Sequence, residues 1–169
     1  MVTVRPADPA DRQRIRECHV AAIRAFGPDA YDDRQVAAWA DKGDPEDDYP
    51  VEQDGHYFVV AERADADETA ADGDGEVAGY GHLVPTERAV RAVYVHPEAA
   101  GDGVGTALLD ALESRARDLD LDALTLHASL NAVEFYERAG YEPADRETYS
   151  TVHGGETVEL DIVRMEKQL

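Results

Sequence analysis

Residues 93–116, VYVHPEAAGDGVGTALLDALESRA, decide how this chain folds. β-Branched and aromatic residues predict a strand at Ala89–Val95, which His96-Pro97 ends because proline cannot donate to a β-ladder. A glycine turn, 101–105, follows, and a helical pattern opens at Thr106. The apolar residues around and within this pattern recur at spacings of three and four, which indicates a helix with one buried face. They are Val104, Leu108, Leu109, Leu112, Ala116 and Leu119.

A glycine turn that leads into a helix exposes several backbone N–H groups. Together with the helix dipole these groups form an anion site, most often for phosphate. The turn Gly101-Asp102-Gly103-Val104-Gly105 does not complete the dinucleotide fingerprint, because Thr106 stands where that pattern needs its last glycine. It is not a P-loop either, because no lysine follows the turn. A nucleotide-binding module of another fold is therefore disfavoured, although this turn alone leaves it open.

The other elements are predicted from periodicity, caps and turn signals. Helices are expected at 9–27, from Asp32 or Asp33 to about 40, and at 129–140. Strands are expected at 2–5, 56–62, 76–84, 121–126, 144–153 and 156–165. Residues 65–75 are expected to form a long hairpin loop, and Gly154-Gly155 a tight hairpin turn. The order β-α-α-β-β-β-α-β-α-β-β predicts an α+β (α/β) protein in which helices flank a mixed, mostly antiparallel central sheet.

Length and composition limit the class of protein. The 169 residues predict one domain, 1–169, and a hydrophobic fraction of 43% excludes a disordered chain. No apolar run reaches membrane-spanning length and no signal peptide opens the chain, so the expected location is the cytoplasm, without a membrane partner. Cys18 is the only cysteine, which excludes a disulfide framework. The six histidines show no ligand spacing, so no metal is predicted.

The charge of the chain is strongly negative. There are 37 acidic and 16 basic residues, which gives a formal net charge of −21. Such a field opposes binding to nucleic acid and to anionic membranes. The acidic residues are spread over almost every segment, which favours the solvated surface of a halophile's protein over an acidic groove for a cationic partner.

A second stretch, Leu126–Tyr141 (LHASLNAVEFYERAGY), carries the functional prediction together with the glycine turn. The two stretches resemble the GNAT superfamily of N-acetyltransferases, whose acetyl-CoA loop reads Gln/Arg-x-x-Gly-x-Gly/Ala. Residues 100–105 occupy that loop, with Ala100 in place of the leading Gln or Arg. The element order resembles the GNAT fold along almost the whole chain. The residues in register in the second stretch are Asn131, Phe135, Tyr136, Gly140 and Tyr141.

The resemblance implies that acetyl-CoA is the cosubstrate and that an amine attacks its thioester directly. A bulge at 93–95 is expected to direct backbone N–H groups at the thioester oxygen, and the glycine turn to hold the pyrophosphate. Tyr136 matches the family's general acid near the CoA sulfur, and Asn131 matches a side chain that binds the pantetheine arm or a water. The expected cofactor-binding residues are Val93, Tyr94, Val95, Gly101, Asp102, Gly103, Val104, Gly105, Thr106, Asn131 and Tyr136.

The attacking amine must lose a proton, and the family has no single fixed base. Glu87 and His96 are candidates for this role, as are Glu98 and His127, although such residues are more often found in turns and on surfaces. His82 lies inside a predicted strand, and a structural role is favoured for it over a place in the pocket.

The prediction is thus an acetyl-CoA-dependent N-acetyltransferase that acetylates a primary amine, either of a small molecule or of a protein. Homodimers are common in the family, and no nucleic-acid partner is expected. The alternative is a catalytically silent CoA-binding sensor or regulatory module. Ala100 in place of Gln or Arg favours this alternative, whereas the retained Tyr136 opposes it.

Overall fold

The computed structural model describes residues 2–41, 48–63 and 76–169. The strands in these ranges are β1 (Val2–Pro6), β2 (Tyr57–Arg63), β3 (Glu76–Val84), β4 (Ala89–Val95), β5 (Ala123–Ser129), β6 (Glu142–His153) and β7 (Glu156–Gln168). They form one sheet in the order β1-β2-β3-β4-β5-β7-β6. Every neighbouring pair is antiparallel except β4 and β5, which confirms the predicted mixed, mostly antiparallel sheet.

The helices of the described residues flank this sheet in the predicted chain order. Asp8 caps a short 3₁₀ turn that leads into the first helix, and Asp32 caps the second by accepting the N–H of Gln35. The predicted hairpin loop 65–75 lies outside the described residues. The helices are α1 (Arg12–Phe26), α2 (Asp33–Ala40), α3 (Val104–Asp118) and α4 (Val133–Arg138).

Several boundaries differ from the prediction by a few residues, and two of them lie in or just after the central motif. Helix α3 begins at Val104 rather than Thr106, and β5 begins at Ala123 rather than at residue 121. The N–H of Leu121 still bonds to the carbonyl of Ala116 at 3.0 Å, and Asp120 has a φ of +59°. Residues 119–122 therefore form the turn that ends the helix, and because of this turn β5 begins later in the chain than predicted.

Helix α3 packs its apolar face directly on the centre of the sheet. Leu108 and Leu112 have no exposed surface. Gly79 and Gly81 of β3 make this contact possible, because a Cβ on Gly79 would lie 2.9 Å from a methyl carbon of Leu108 and one on Gly81 3.0 Å from Leu112. Glycine inside a strand often marks such a close approach.

The sheet opens between β4 and β5. These parallel strands pair only at Ala89 with Thr125 and at Val90 with Leu126. The remaining residues of β4 keep their pairing with β3, whereas β5 pairs with β7 up to Ser129. The carboxyl half of β4 therefore has one unpaired edge inside the molecule, and this edge faces a gap that the next section describes.

Candidate active site

Two cavities meet at the gap between β4 and β5. The loop cavity, of about 540 Å³, lies between the glycine turn, the start of α3, α4 and the end of α1. The aromatic cavity, of about 400 Å³, lies between β3, β4, β5, β7 and the aromatic side chains of the α1 and α2 region. The residues that line both cavities are Trp39, Val93, Tyr94, Ser129, Ala132 and Tyr136. Two molecules, one in each cavity, would therefore meet at this shared wall.

The glycine turn presents the N-terminus of α3 to the loop cavity. Gly101 and Gly103 have φ values of +85° and +81°, a backbone conformation that L-residues rarely adopt, and Gly103 caps the helix. A Cβ on either residue would meet no atom within 4 Å, so space is open above both. Thr106 lies in the first turn of α3 and also lines the cavity. The open backbone and the free N–H groups of the helix start fit an anionic phosphate.

Gly105 is needed for close packing and not for an unusual backbone conformation. It is helical and buried, and a Cβ there would lie 3.1 Å from the ring of Phe135. Phe135 itself lines the loop cavity. The small residue thus lets α4 approach the start of α3 closely.

Two arginines that sequence reasoning missed place positive charge at this turn or in the wall of the loop cavity. Arg63 of β2 donates to the carboxylate of Asp102 at 3.1 Å and to the carbonyl of Glu98 at 3.2 Å. Arg138, at the end of α4, lines the loop cavity. Both lie far along the chain from Ala100, where the family pattern has its basic or amide residue, and no local motif marks them.

The backbone of β4 directs two N–H groups into the gap. The N–H of His96 bonds to the carbonyl of Ala78 at 2.7 Å, so that pair is hydrogen-bonded in the antiparallel ladder. Because hydrogen-bonded and non-bonded pairs alternate, Tyr94 bonds to β3, whereas the N–H groups of Val93 and Val95 point toward β5. Past Val90, β5 no longer accepts them.

The bulge expected at 93–95 was wrong in position. The register of β3 and β4 shifts between His82 opposite Ala92 and Leu83 opposite Val90, so the additional residue is Arg91. The unpaired N–H groups of β4 therefore come from the separation of β4 and β5 and not from a bulge at 93–95.

Tyr136 lies in the shared wall of the two cavities. Its side chain is buried at 6% exposure, and burial, followed by the neighbouring Tyr94, raises its pKa well above the ordinary value. A hydroxyl with a raised pKa stays protonated at neutral pH and can donate its proton. Asn131 lines the loop cavity just before α4.

The proposed bases occupy different places. Glu87 lies in the turn between β3 and β4, where it pairs with Arg91, and it lines neither cavity. His96 caps the next turn, accepting the N–H of Glu98 on Nδ1 at 3.2 Å, and lies outside both cavities as well. His127 does line the aromatic cavity, where it pairs with Glu147 at 2.6 Å. The structure thus brings Tyr136 and Asn131 to the cavities but not Glu87 or His96.

Tyr94 organises the wall of the aromatic cavity. Its ring stacks on His19 at 4.2 Å and on Tyr80 at 5.7 Å, and Trp39 lies at 6.3 Å. Tyr31 closes the wall by donating to the carbonyl of Asp161 at 2.6 Å and accepting the N–H of Leu130 at 3.0 Å. Trp39 is half-buried and lines both cavities.

His82 also lines the aromatic cavity, which sequence reasoning did not favour. Its ring stacks on Phe58 at 3.8 Å, and its Nε2 lies 2.9 Å from Nδ1 of His56. Burial, then the charges of His56 and Arg91, lower the pKa of His82 to about 3. The two histidines are far apart in the sequence, and the pairing of β2 with β3 brings them together.

Residues 29–168 match the model of the acetyltransferase (GNAT) domain family. The chain belongs to this family. Its members are N-acetyltransferases that use acetyl-CoA as cosubstrate, and the open glycine turn at the start of α3 fits that ligand. A nucleotide-binding module of another fold is thereby excluded.

Solved structures resemble the GNAT chain over nearly its full length. A GCN5-related N-acetyltransferase from Rhodopseudomonas palustris shares 32% identity with a TM-score of 0.81, covering 99% of this chain and 95% of that one. A ribosomal-protein-alanine N-acetyltransferase from Brucella melitensis shares 24% identity with a TM-score of 0.70, covering 99% of both chains. The yncA protein of Salmonella typhimurium, solved with its cofactor acetyl-CoA, shares 24% identity with a TM-score of 0.68, covering 99% and 94%. No curated protein matches the sequence significantly.

Within the described residues, no helix is both long and apolar enough to cross a bilayer. In that part of the chain, no cluster of His, Cys, Asp and Glu has a geometry that could hold a metal ion.

Proposed function

We propose that this GNAT domain transfers the acetyl group of acetyl-CoA to a primary amine that occupies the aromatic cavity. One observation carries the proposal: Tyr136, Tyr94 and Val93 line both cavities, so the two substrates would meet at a protonated tyrosine and an unpaired strand edge. This juxtaposition matters more for acetyl transfer than any single catalytic group, because holding two reactants in the right orientation accounts for much of the rate enhancement.

The loop cavity would hold the CoA moiety. Its phosphates fit the N–H groups at the start of α3, where Gly101 and Gly103 leave open space, and Arg63 and Arg138 offset nearby negative charge. Asn131 would hydrogen-bond the pantetheine arm or a water, as its place in the cavity wall allows.

The amine attacks the thioester carbonyl, and the carbon–sulfur bond breaks. Negative charge develops on the carbonyl oxygen, where the unpaired N–H groups of Val93 and Val95 can donate hydrogen bonds. Tyr136 then gives its hydroxyl proton to the leaving thiolate, and the proton that the nitrogen loses on becoming an amide restores the hydroxyl. Its raised pKa keeps that proton in place until the thiolate forms.

The acceptor would be an amine with an apolar or aromatic body. Tyrosine and tryptophan rings form much of the cavity wall, and such rings bind both apolar groups and ammonium ions. The net charge of −21 would also attract a cationic amine toward the protein.

The test is a panel of primary amines, with thiol release from acetyl-CoA as the measurement. The panel holds arylalkyl amines, aliphatic amines, amino acids and a peptide N-terminus, and calorimetry measures CoA binding in parallel. We expect thiol release that depends on which amine is supplied. We also expect CoA to bind in the micromolar range. Tight CoA binding without release for any amine would support the silent CoA-binding module instead.

A further inference from the structure

His82 lines the aromatic cavity but has no part in the mechanism described so far. It lies on β3 opposite Ala92, two residues before Tyr94 on β4, and its half-buried ring forms part of the aromatic cavity wall. Stacking on Phe58 at 3.8 Å and 15° fixes the plane of this ring. His56 contacts the ring of His82 but does not line the cavity, so it lies behind His82 as seen from the acceptor's side.

The hydrogen bond between the two imidazoles allows two tautomer arrangements. A neutral imidazole has one N–H donor and one bare nitrogen, so of two ring nitrogens 2.9 Å apart one donates and the other accepts. If Nε2–H of His82 donates to Nδ1 of His56, then Nδ1 of His82 is a bare acceptor. His56 then carries its own proton on Nε2, and its half-buried ring adjoins the exposed turn 52–55.

We propose that His82 and His56 form a relay that removes the proton of the acceptor amine, an inference that rests on the proposed function. An N–H bond of the bound ammonium breaks, which leaves the neutral amine that attacks, and the released proton goes to Nδ1 of His82. The proton on Nε2 of His82 passes to Nδ1 of His56, and His56 releases its Nε2 proton to solvent. Each imidazole ends neutral after the reverse tautomer shift, so no other reactant is needed.

The surroundings of the pair keep His82 in its neutral form. Arg91 faces His82 from β4, and its own charge is offset by Glu87, while Asp48 lies at the rim of the aromatic cavity. Burial, His56 and Arg91 lower the pKa of His82 to about 3, so His82 is neutral at any pH where the protein would work. A neutral histidine accepts a hydrogen bond from an incoming ammonium without repelling it. Because such a group holds a proton only briefly, the second imidazole gives the proton an exit.

The kinetic test compares His82→Gln with His56→Asn and with His153→Gln as control. His153 lines a separate surface cleft, paired with Asp41 at 3.0 Å, and contacts neither cavity. We expect kcat to fall about 10²-fold or more in His82→Gln and less in His56→Asn, the usual range for a positioned base. The KM for acetyl-CoA and the control's kcat should not change.

The acceptor's basicity separates a base from a structural residue. The defect of His82→Gln is measured with an alkylamine and with its β,β,β-trifluorinated analogue, which is already mostly neutral at the assay pH. A relay predicts a much smaller defect for the fluorinated amine, whereas lost packing would lower both rates equally. Equal defects, or an undiminished rate in His82→Gln, would overturn the relay.

A second measurement does not depend on turnover. Long-range ¹⁵N–¹H spectra of the wild-type protein at neutral pH report which nitrogen of each imidazole is protonated, and His82→Gln assigns the signals. We expect His82 to be neutral with its proton on Nε2. A proton on Nδ1 of His82 would overturn the relay even in an active enzyme. A wild type that acetylates no amine would refute the proposed function, whatever tautomer is found.

Discussion

At the scale of single residues, Tyr136 is the side chain on which sequence and structure agree most closely. The resemblance to the family implies a general acid at Tyr136, and the fold buries its ring where the two cavities meet. His82 and Arg63 show the opposite case. Each takes its place from strand pairing across the sheet, which no local pattern records.

Replacing Tyr136 with phenylalanine removes only the hydroxyl, so we expect the variant to fold and to bind CoA as the wild type does. Its kcat should fall by about 10²- to 10⁴-fold, the usual contribution of a positioned general acid. Thiol release at saturating acetyl-CoA measures the effect. Because Phe135 is next in the chain and has no hydroxyl, Phe135→Leu controls for disturbed packing of α4. Full activity in Tyr136→Phe would remove the hydroxyl from the mechanism.

At the scale of elements, the glycine turn and α3 were predicted because their signals are local. Turn glycines and apolar spacing need only neighbouring residues, and the error was two residues at the start of α3. The separation of β4 and β5 could not be derived from the spacing of residues along the chain, since it depends on how strands distant in sequence pair with one another. Glu87 and His96 were named for their chemistry near the central motif, and the turns on which they lie direct them away from the cavities.

The variant Gly103→Val tests whether the glycine turn binds the CoA phosphates. Valine at a φ of +81° is strained, and its side chain would fill the space above the start of α3. Gly155→Val is a matched control, because Gly155 has a φ of +80°, equally open surroundings and a place in the distant β6–β7 hairpin. We expect comparable losses of stability, about 1–3 kcal/mol each. Only Gly103→Val should lose CoA affinity in calorimetry, and equal affinity in both would place the anion site elsewhere.

Lys167 joins β7 to α3 and α4. Its ammonium bonds to the carboxylate of Glu113, whose side chain is 4% exposed, and to the carbonyl of Ala139 at 2.7 Å. Lys167→Met leaves the buried Glu113 with only Arg117 at 3.7 Å, so we expect a loss of about 3 kcal/mol in the free energy of unfolding. Denaturant titration measures it.

The double variant Glu113→Leu/Lys167→Met discriminates the cause of that loss. It removes the buried charge together with its partner, so its stability should return to within about 1 kcal/mol of the wild type. Arg146→Met, which breaks the exposed pair with Asp161, should cost less than about 1 kcal/mol. A double variant as unstable as Lys167→Met would mean that packing of the lysine stem, and not charge, stabilises this contact.

At the scale of the whole molecule, the net charge of −21 bears on function through the loop cavity. CoA is an anion, and a strongly negative protein repels it over a distance that salt sets. Asp102 adds a negative charge within the glycine turn itself. The structure pairs it with Arg63, so the local repulsion is partly cancelled while the field of the whole surface remains.

We expect CoA affinity to increase as KCl is raised from low concentration, because the screening length falls from about 30 Å at 0.01 M to about 3 Å at 1 M. Arg63→Gln would leave Asp102 unpaired, which should weaken CoA binding at low salt and steepen this increase. Asp102→Asn should do the reverse. Arg146→Gln changes the net charge as Arg63→Gln does, but at a site away from the turn. The difference between the two variants therefore measures how much of the effect on CoA affinity comes from the charge at the turn itself. Calorimetry is carried out where circular dichroism shows folded protein at every salt concentration. If wild-type affinity instead fell steadily with KCl, attraction by Arg63, Arg138 and the helix start would outweigh the surface field.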